Sequence, residues 1–250
     1  MRKRLTWILA LGAALALLAG GIATAAKPTV IKVGNLVITF NGGFTPTALS
    51  KTKPTPIKLN VSGNIKTTDG SHPPALQSFI LETDKAGGIN AKGVPTCKQG
   101  QLEATTTATA EKSCGKAKIG QGTTNVEVEF PEQKPIPLKS KLLVFNGGVK
   151  GGKTTLLIHA YLSSPVAAAI VTTVKVQKVH NGPYGLKSVA TVPKIAGGAG
   201  SVTNFTLAIT KKGYLTAKCT DGNIVAQGEA LFSDGTKAKG SVVRPCTPKG

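Results

Sequence analysis

Apolar and polar residues alternate one by one along much of this chain. A period of two fits a pleated strand with one buried face and not a helix, whose apolar positions recur every three to four residues. Ile57-Lys58-Leu59-Asn60-Val61-Ser62 shows the pattern, as do Asn125-Val126-Glu127-Val128-Glu129-Phe130 and Phe205-Thr206-Leu207-Ala208-Ile209-Thr210. Thr172-Thr173-Val174-Lys175-Val176-Gln177 adds β-branched residues, which suit a pleated surface. Between such runs stand turn signals: Asn41-Gly42-Gly43, Asp69-Gly70, Asn146-Gly147-Gly148, Asn181-Gly182-Pro183, Asp221-Gly222-Asn223 and Asp234-Gly235. Short strands divided by glycine-bearing turns predict an all-β, antiparallel chain of the sandwich or barrel kind. Helix is minor, with one short segment expected within Lys98 to Lys112, between two cysteines.

Two β-sandwich, Ig-like domains are the favoured organisation, over residues 27–148 and 153–250, joined at Gly147-Gly148-Val149-Lys150-Gly151-Gly152. A single larger sandwich with a glycine hairpin at that point is the alternative. The first 26 residues read as a leader. Arg2, Lys3 and Arg4 precede an apolar stretch from Trp7 to Ile22, and Ala23-Thr24-Ala25 offers small residues at alternate positions, the order of a cleaved secretory signal peptide. No further apolar run reaches spanning length, so the rest of the chain is expected to be exported and free of membrane spans.

Four cysteines agree with an oxidising destination. Cys97, Cys114, Cys219 and Cys246 contain no C-x-x-C that would point to zinc or thiol redox chemistry. Four cysteines allow three connectivities. Local pairing, Cys97 with Cys114 and Cys219 with Cys246, is the simplest, and each closed loop would add on the order of 3 kcal/mol by restricting the unfolded chain.

Motifs that could carry catalysis or a cofactor stand in contexts that do not suit them. Gly147 to Thr154 matches G-x-x-x-x-G-K-[ST], yet a phosphate-binding loop must open a helix, and Thr154-Thr155-Leu156-Leu157-Ile158-His159 reads as a strand. A hairpin is expected instead. His72, His159 and His180 lack metal-ligand spacing. Asp69, Ser71 and His72 crowd one turn, whereas triad partners converge from distant segments. A cleft joining one of the histidines to an acid and a serine would mark a hydrolase. No catalytic, metal or cofactor residue is assigned.

Charge is the remaining compositional signal. Outside the leader, 28 basic residues face 11 acidic ones, and only Arg244 among the former is arginine. A balance of +17 would attract anionic cell-envelope polymers. Specific nucleic-acid binding favours arginine forks and stacking aromatics, which are scarce here.

The segment Gly93-Val94-Pro95-Thr96-Cys97, with Ser113-Cys114-Gly115-Lys116-Ala117-Lys118-Ile119-Gly120-Gln121-Gly122 and the upstream Asp69 to Leu76, resembles a pattern in exported, β-rich actinobacterial proteins of unassigned function. The resemblance implies structural cysteines at 97 and 114, and it carries no catalytic residue. The expected role is that of an exported, non-catalytic structural or binding module of the envelope or extracellular space, its partner unknown.

Overall fold

A computed structural model describes residues 27–164 and 167–250; the expected leader lies outside the described residues. The strands are β1 (Thr29–Val33), β2 (Leu36–Thr45), β3 (Ala48–Ser50), β4 (Thr55–Thr67), β5 (Leu76–Asp84) and β6 (Gly87–Ile89). Helix α1 (Thr107–Cys114) follows, then β7 (Lys118–Val128), β8 (Ile136–Lys150), β9 (Lys153–Leu162), β10 (Ala168–Asn181) and β11 (Tyr184–Thr191). Last come β12 (Gly200–Ile209), β13 (Leu215–Ala217), β14 (Asn223–Phe232), β15 (Lys237–Pro245) and β16 (Thr247–Lys249).

Twelve of these strands form one antiparallel sheet in the order β1-β2-β4-β12-β7-β8-β9-β10-β11-β5-β14-β15. The sheet curls until its ends nearly meet. The Thr29 hydroxyl of β1 donates to the Ser241 carbonyl of β15 at 3.1 Å, and the Ile31 side chain lies over Gly240. The result is a barrel closed by ladders everywhere except at the β1/β15 seam, where side chains make the join.

This corrects the two-sandwich expectation. β12 inserts between β4 and β7, and β5 pairs with both β11 and β14, so strands from either side of residue 150 share one sheet. The glycine run near residue 150 is a hairpin: Lys150 pairs with Lys153 across Gly151-Gly152, and both glycines take positive φ. Lys153 therefore opens a strand, as the hairpin expected there requires. Two other expected turns are strand instead. Asn41-Gly42-Gly43 stays extended within β2, and Asn146-Gly147-Gly148 forms a bulge within β8, with Gly148 at φ 92°.

Alternation assigns the faces. Along β4, Ile57, Leu59, Val61 and Ile65 line the barrel interior, while Lys58 and Lys66 are exposed outside. Lys139 and Lys141 of β8, Lys175 of β10, and Lys237 and Lys239 of β15 are likewise exposed. An outer-membrane barrel has the opposite polarity, with apolar residues toward lipid. No helix among the described residues is long and apolar enough to cross a membrane.

One outward patch is apolar, and the chain covers it. Leu143, Phe145, Leu157 and Val171 of β8 to β10 pack against Cys97, Leu102, Ala110 and Cys114, so the segment carrying α1 lies over this part of the wall. The Thr106 hydroxyl accepts from the Thr109 amide and caps α1. The two disulfides have the local connectivity, Cys97–Cys114 and Cys219–Cys246, and no cysteine is free.

Candidate functional site

The inside of the barrel is partly hollow. Its wall is built from every second residue of the twelve strands, and nearly all of those are apolar. Leu59 and Val61 of β4, Phe79 and Leu81 of β5, Leu186 of β11 and Leu207 of β12 face inward yet keep accessible surface. A filled interior would bury them, because protein cores pack like organic crystals. The space they surround is a cavity of about 410 Å³, inside the range of roughly 300–1,000 Å³ typical of ligand pockets.

Small residues explain the space. β7 contributes Gly120 and Gly122, β14 Ala226 and Gly228, β15 Gly240, and β11 Ala190, all at inward positions or in close strand approach. A Cβ on Gly122 would meet the Thr206 carbonyl oxygen, so β7 and β12 come together there as no larger residue permits. Elsewhere side chains lie flat over glycines, Phe205 over Gly63 and Phe79 over Gly228. The Phe205 ring then lies along the wall, and the Phe79 ring leans toward Phe40 on the seam side.

The cavity has a packed end. Leu36, Ile38, Ile65, Ala230, Phe232 and Ala238 form one buried cluster there, and Val126, Val128, Leu162 and Ile195 another. The opposite end is covered too: Ile119, Leu156, Val174, Val176, Ile209 and Tyr214 form a buried cluster there, and Phe44, Leu49 and Ala217 belong to another. Strands β6 and β13 pair over the end of β4, and beside them stand Thr216, Asp84 and Arg244.

Arg244 has a distinct position. β1 begins at Thr29, which pairs with Phe40, so the following residues of β2 have no β1 partner. Arg244 of β15 spans this gap. Its Nε–H donates to the Gly42 carbonyl, Nη2 to the Asn41 side-chain oxygen at 2.8 Å, and Nη1 to the Val243 carbonyl at 3.0 Å. No carboxylate among the described residues forms an ion pair with it. Asp84, the acid nearest this end of the lining, accepts from the Ala86 amide at 2.8 Å and the Val225 amide at 3.1 Å.

A second cleft, of about 380 Å³, lies outside the packed end and is polar. It brings together Ser71, His72, Glu129, Ser201, Ser233 and Asp234, the residue types a hydrolase would use. Their contacts differ from a nucleophile and its base. Ser71 Oγ donates to Asp69 at 2.7 Å, Ser201 Oγ to the Pro73 carbonyl at 2.6 Å, and Ser233 Oγ accepts from the Ala75 amide at 3.0 Å. His72 Nδ1 faces the Glu127 carboxylate at 3.6 Å, beyond good hydrogen-bonding distance. Among the described residues, no serine hydroxyl reaches His72. Asp69, Ser71 and His72 make the turn expected from their spacing; hydrogen bonds from Ser71 hold the Asp69 carboxyl well below the usual range.

The other histidines are apart from both cavities. His159 is fully buried on the outer face of β9 under the α1 segment, its Nε2 donating to the Thr105 carbonyl at 3.0 Å. Burial lowers its affinity for a proton, against a smaller opposing effect of that bond. His180 is exposed at the end of β10. Among the described residues, no group of histidine, cysteine and acidic side chains could hold a metal.

Alternation revealed the apolar inner face but not the hollow. The signal that could have found it was the set of glycines and alanines at inward positions, in a chain with 4% aromatic residues. No protein-family model matches the chain. No curated protein matches it either.

Proposed function

We propose that the chain is an exported, non-catalytic binding module that holds an apolar ligand inside its barrel. One observation carries this reading: inward-facing Leu59, Val61, Phe79, Leu81, Leu186 and Leu207 keep accessible surface around an apolar cavity of about 410 Å³. Its apolar stretch attracts little water, since the leucine, valine and phenylalanine side chains there cannot replace water's hydrogen bonds. Leaving it empty is costly. At the ~24 cal/mol per Å³ seen for residual cavities, a void of this size forfeits on the order of 10 kcal/mol relative to a packed interior, as much as an ordinary domain's net stability. An apolar guest would recover part of that.

Export is supported by the leader-like first 26 residues and by two disulfides, which persist in oxidising compartments. The exposed lysines stand on strands all around the outer surface. They serve solubility on this reading, and binding to an anionic polymer would be secondary.

Mass spectrometry of the intact native protein, purified after export and then exposed to single-chain alcohols, tests the proposal. A retained apolar molecule, or alcohol uptake with a higher unfolding temperature, is the expected result; a ligand at a hundred times its Kd adds about 2.7 kcal/mol. A protein that neither retains nor takes up such molecules contradicts it.

A further inference from the structure

We infer that the ligand is an anionic single-chain amphiphile whose headgroup is taken by Arg244 at the β1/β15 seam; this rests on the lumen-binding reading above. The lumen sets the shape of the tail. Above the floor that Phe40 and Phe79 help to form, the inward positions of β4 from Ile57 to Val61 follow about 13 Å of strand at the usual rise, which barrel tilt reduces to roughly 10 Å along the axis. An apolar space of about 410 Å³ suits one aliphatic chain, bent to fit and entering tail first. The headgroup then stops at the gap in the wall beside β1, where Arg244 lines the space.

The charge of that headgroup follows from what stands there. Arg244 is the one arginine of the described residues, and it lines the cavity where β1 is missing from the wall. Three of its five N–H donors are engaged, all by neutral oxygens, so two donors and the full charge remain for an anion. Carboxylate and phosphate both fit a guanidinium fork. Asp84, at the same end, is the competing candidate and would select a cationic headgroup. It accepts from the Ala86 and Val225 amides and stands on β5, two strands from β15, whereas Arg244 spans the gap in the wall itself, which makes Arg244 the group at the entrance. The +17 balance of residues 27–250 steers in the same direction, since it raises the local concentration of anionic amphiphiles.

The test displaces the neutral dye N-phenyl-1-naphthylamine from the lumen with dodecanoate, dodecylphosphate, dodecanol and dodecylamine near neutral pH. Both anions are expected to compete at about tenfold lower concentration than the alcohol, the size of one charge-assisted bond. The Arg244→Gln variant should bring anion and alcohol to within about twofold of each other. Which anion competes better separates a carboxylate from a phosphate source. Equal competition by anion and alcohol, or the tightest competition by the amine, overturns the inference while leaving the lumen reading intact. Absence of dye uptake by the wild type overturns both.

Should the variant itself fail to take up dye, the wild type gives the answer by NMR of carboxyl-¹³C dodecanoate. Its carboxyl is expected to titrate at lower pH when bound than when free. Titration at the same or a higher pH places it away from Arg244 and overturns the inference.

Discussion

Phe40 of β2 and Phe79 of β5 meet ring to ring with centroids 6.0 Å apart and planes inclined at 35°, although three strands separate β2 from β5 around the nearly closed barrel. The contact therefore bridges the lumen on the seam side. On one side of it Ile38, Ile65, Ala230 and Phe232 are buried together; on the other, Val61 and Leu81 border open space. The pair forms part of the cavity floor. Phe79→Ala should deepen the lumen and cost about 3 kcal/mol, the low end for a phenylalanine truncation because Phe79 is only partly buried. Urea unfolding measures the loss, and a shift in chain-length preference toward longer alcohols checks the deepening.

Asn146 ties three separate parts of the chain together. Its amide donates to the carbonyls of Val94 and Pro95, both at 3.1 Å, while its oxygen accepts from the Gly148 amide and from the Tyr214 hydroxyl. Asn146 and Tyr214 are both almost fully buried. Asn146→Ala leaves several polar groups without partners and is expected to cost about 3 kcal/mol or more, each such group being worth ~1–3 kcal/mol. Tyr214→Phe removes a single bond and should cost about 1 kcal/mol. Equal losses in the two variants, by chemical denaturation, would show that Asn146 is not the hub.

His159 gives the fold a pH dependence of known sign. Buried and neutral in the native state, it takes a proton less readily than at its ordinary value of 6.5. The unfolded chain therefore binds the extra proton first, and stability falls as pH drops below about 6.5. Asp69 and Glu111 are also shifted downward, Glu111 chiefly by its hydrogen bond from Lys118, so their losses begin only in the carboxylate range. Stability measured between pH 7 and pH 5 should decline in the wild type and stay nearly flat in His159→Gln. A flat wild-type profile over that interval would contradict the assignment.

Much of the strand content was legible because alternation is local: Ile57 to Ser62 and Phe205 to Ile209 occupy strands as read. Closure was not legible. That β12 lies between β4 and β7, or β5 between β11 and β14, depends on pairing between residues far apart in sequence. Asn41-Gly42-Gly43 illustrates the limit, since its composition suits a turn while the ladder to Val61, Asn60 and their neighbours holds it extended. Inward-facing apolar residues look the same in sequence whether the space before them is filled or empty. Only the inward Gly63, Gly228 and Gly240 hinted at the latter.

The central claim is that the lumen is a binding site, and filling it from within is its most direct test. Ala226 lines the cavity and keeps accessible surface, so a phenylalanine there projects into space and should leave stability within about 1 kcal/mol of wild type. Titration with N-phenyl-1-naphthylamine should show saturable fluorescence gain in the wild type and at least tenfold weaker uptake in Ala226→Phe, since the ring removes volume the dye needs. Equal uptake by the two folded proteins would mean that the dye binds elsewhere and that the barrel interior is not the site.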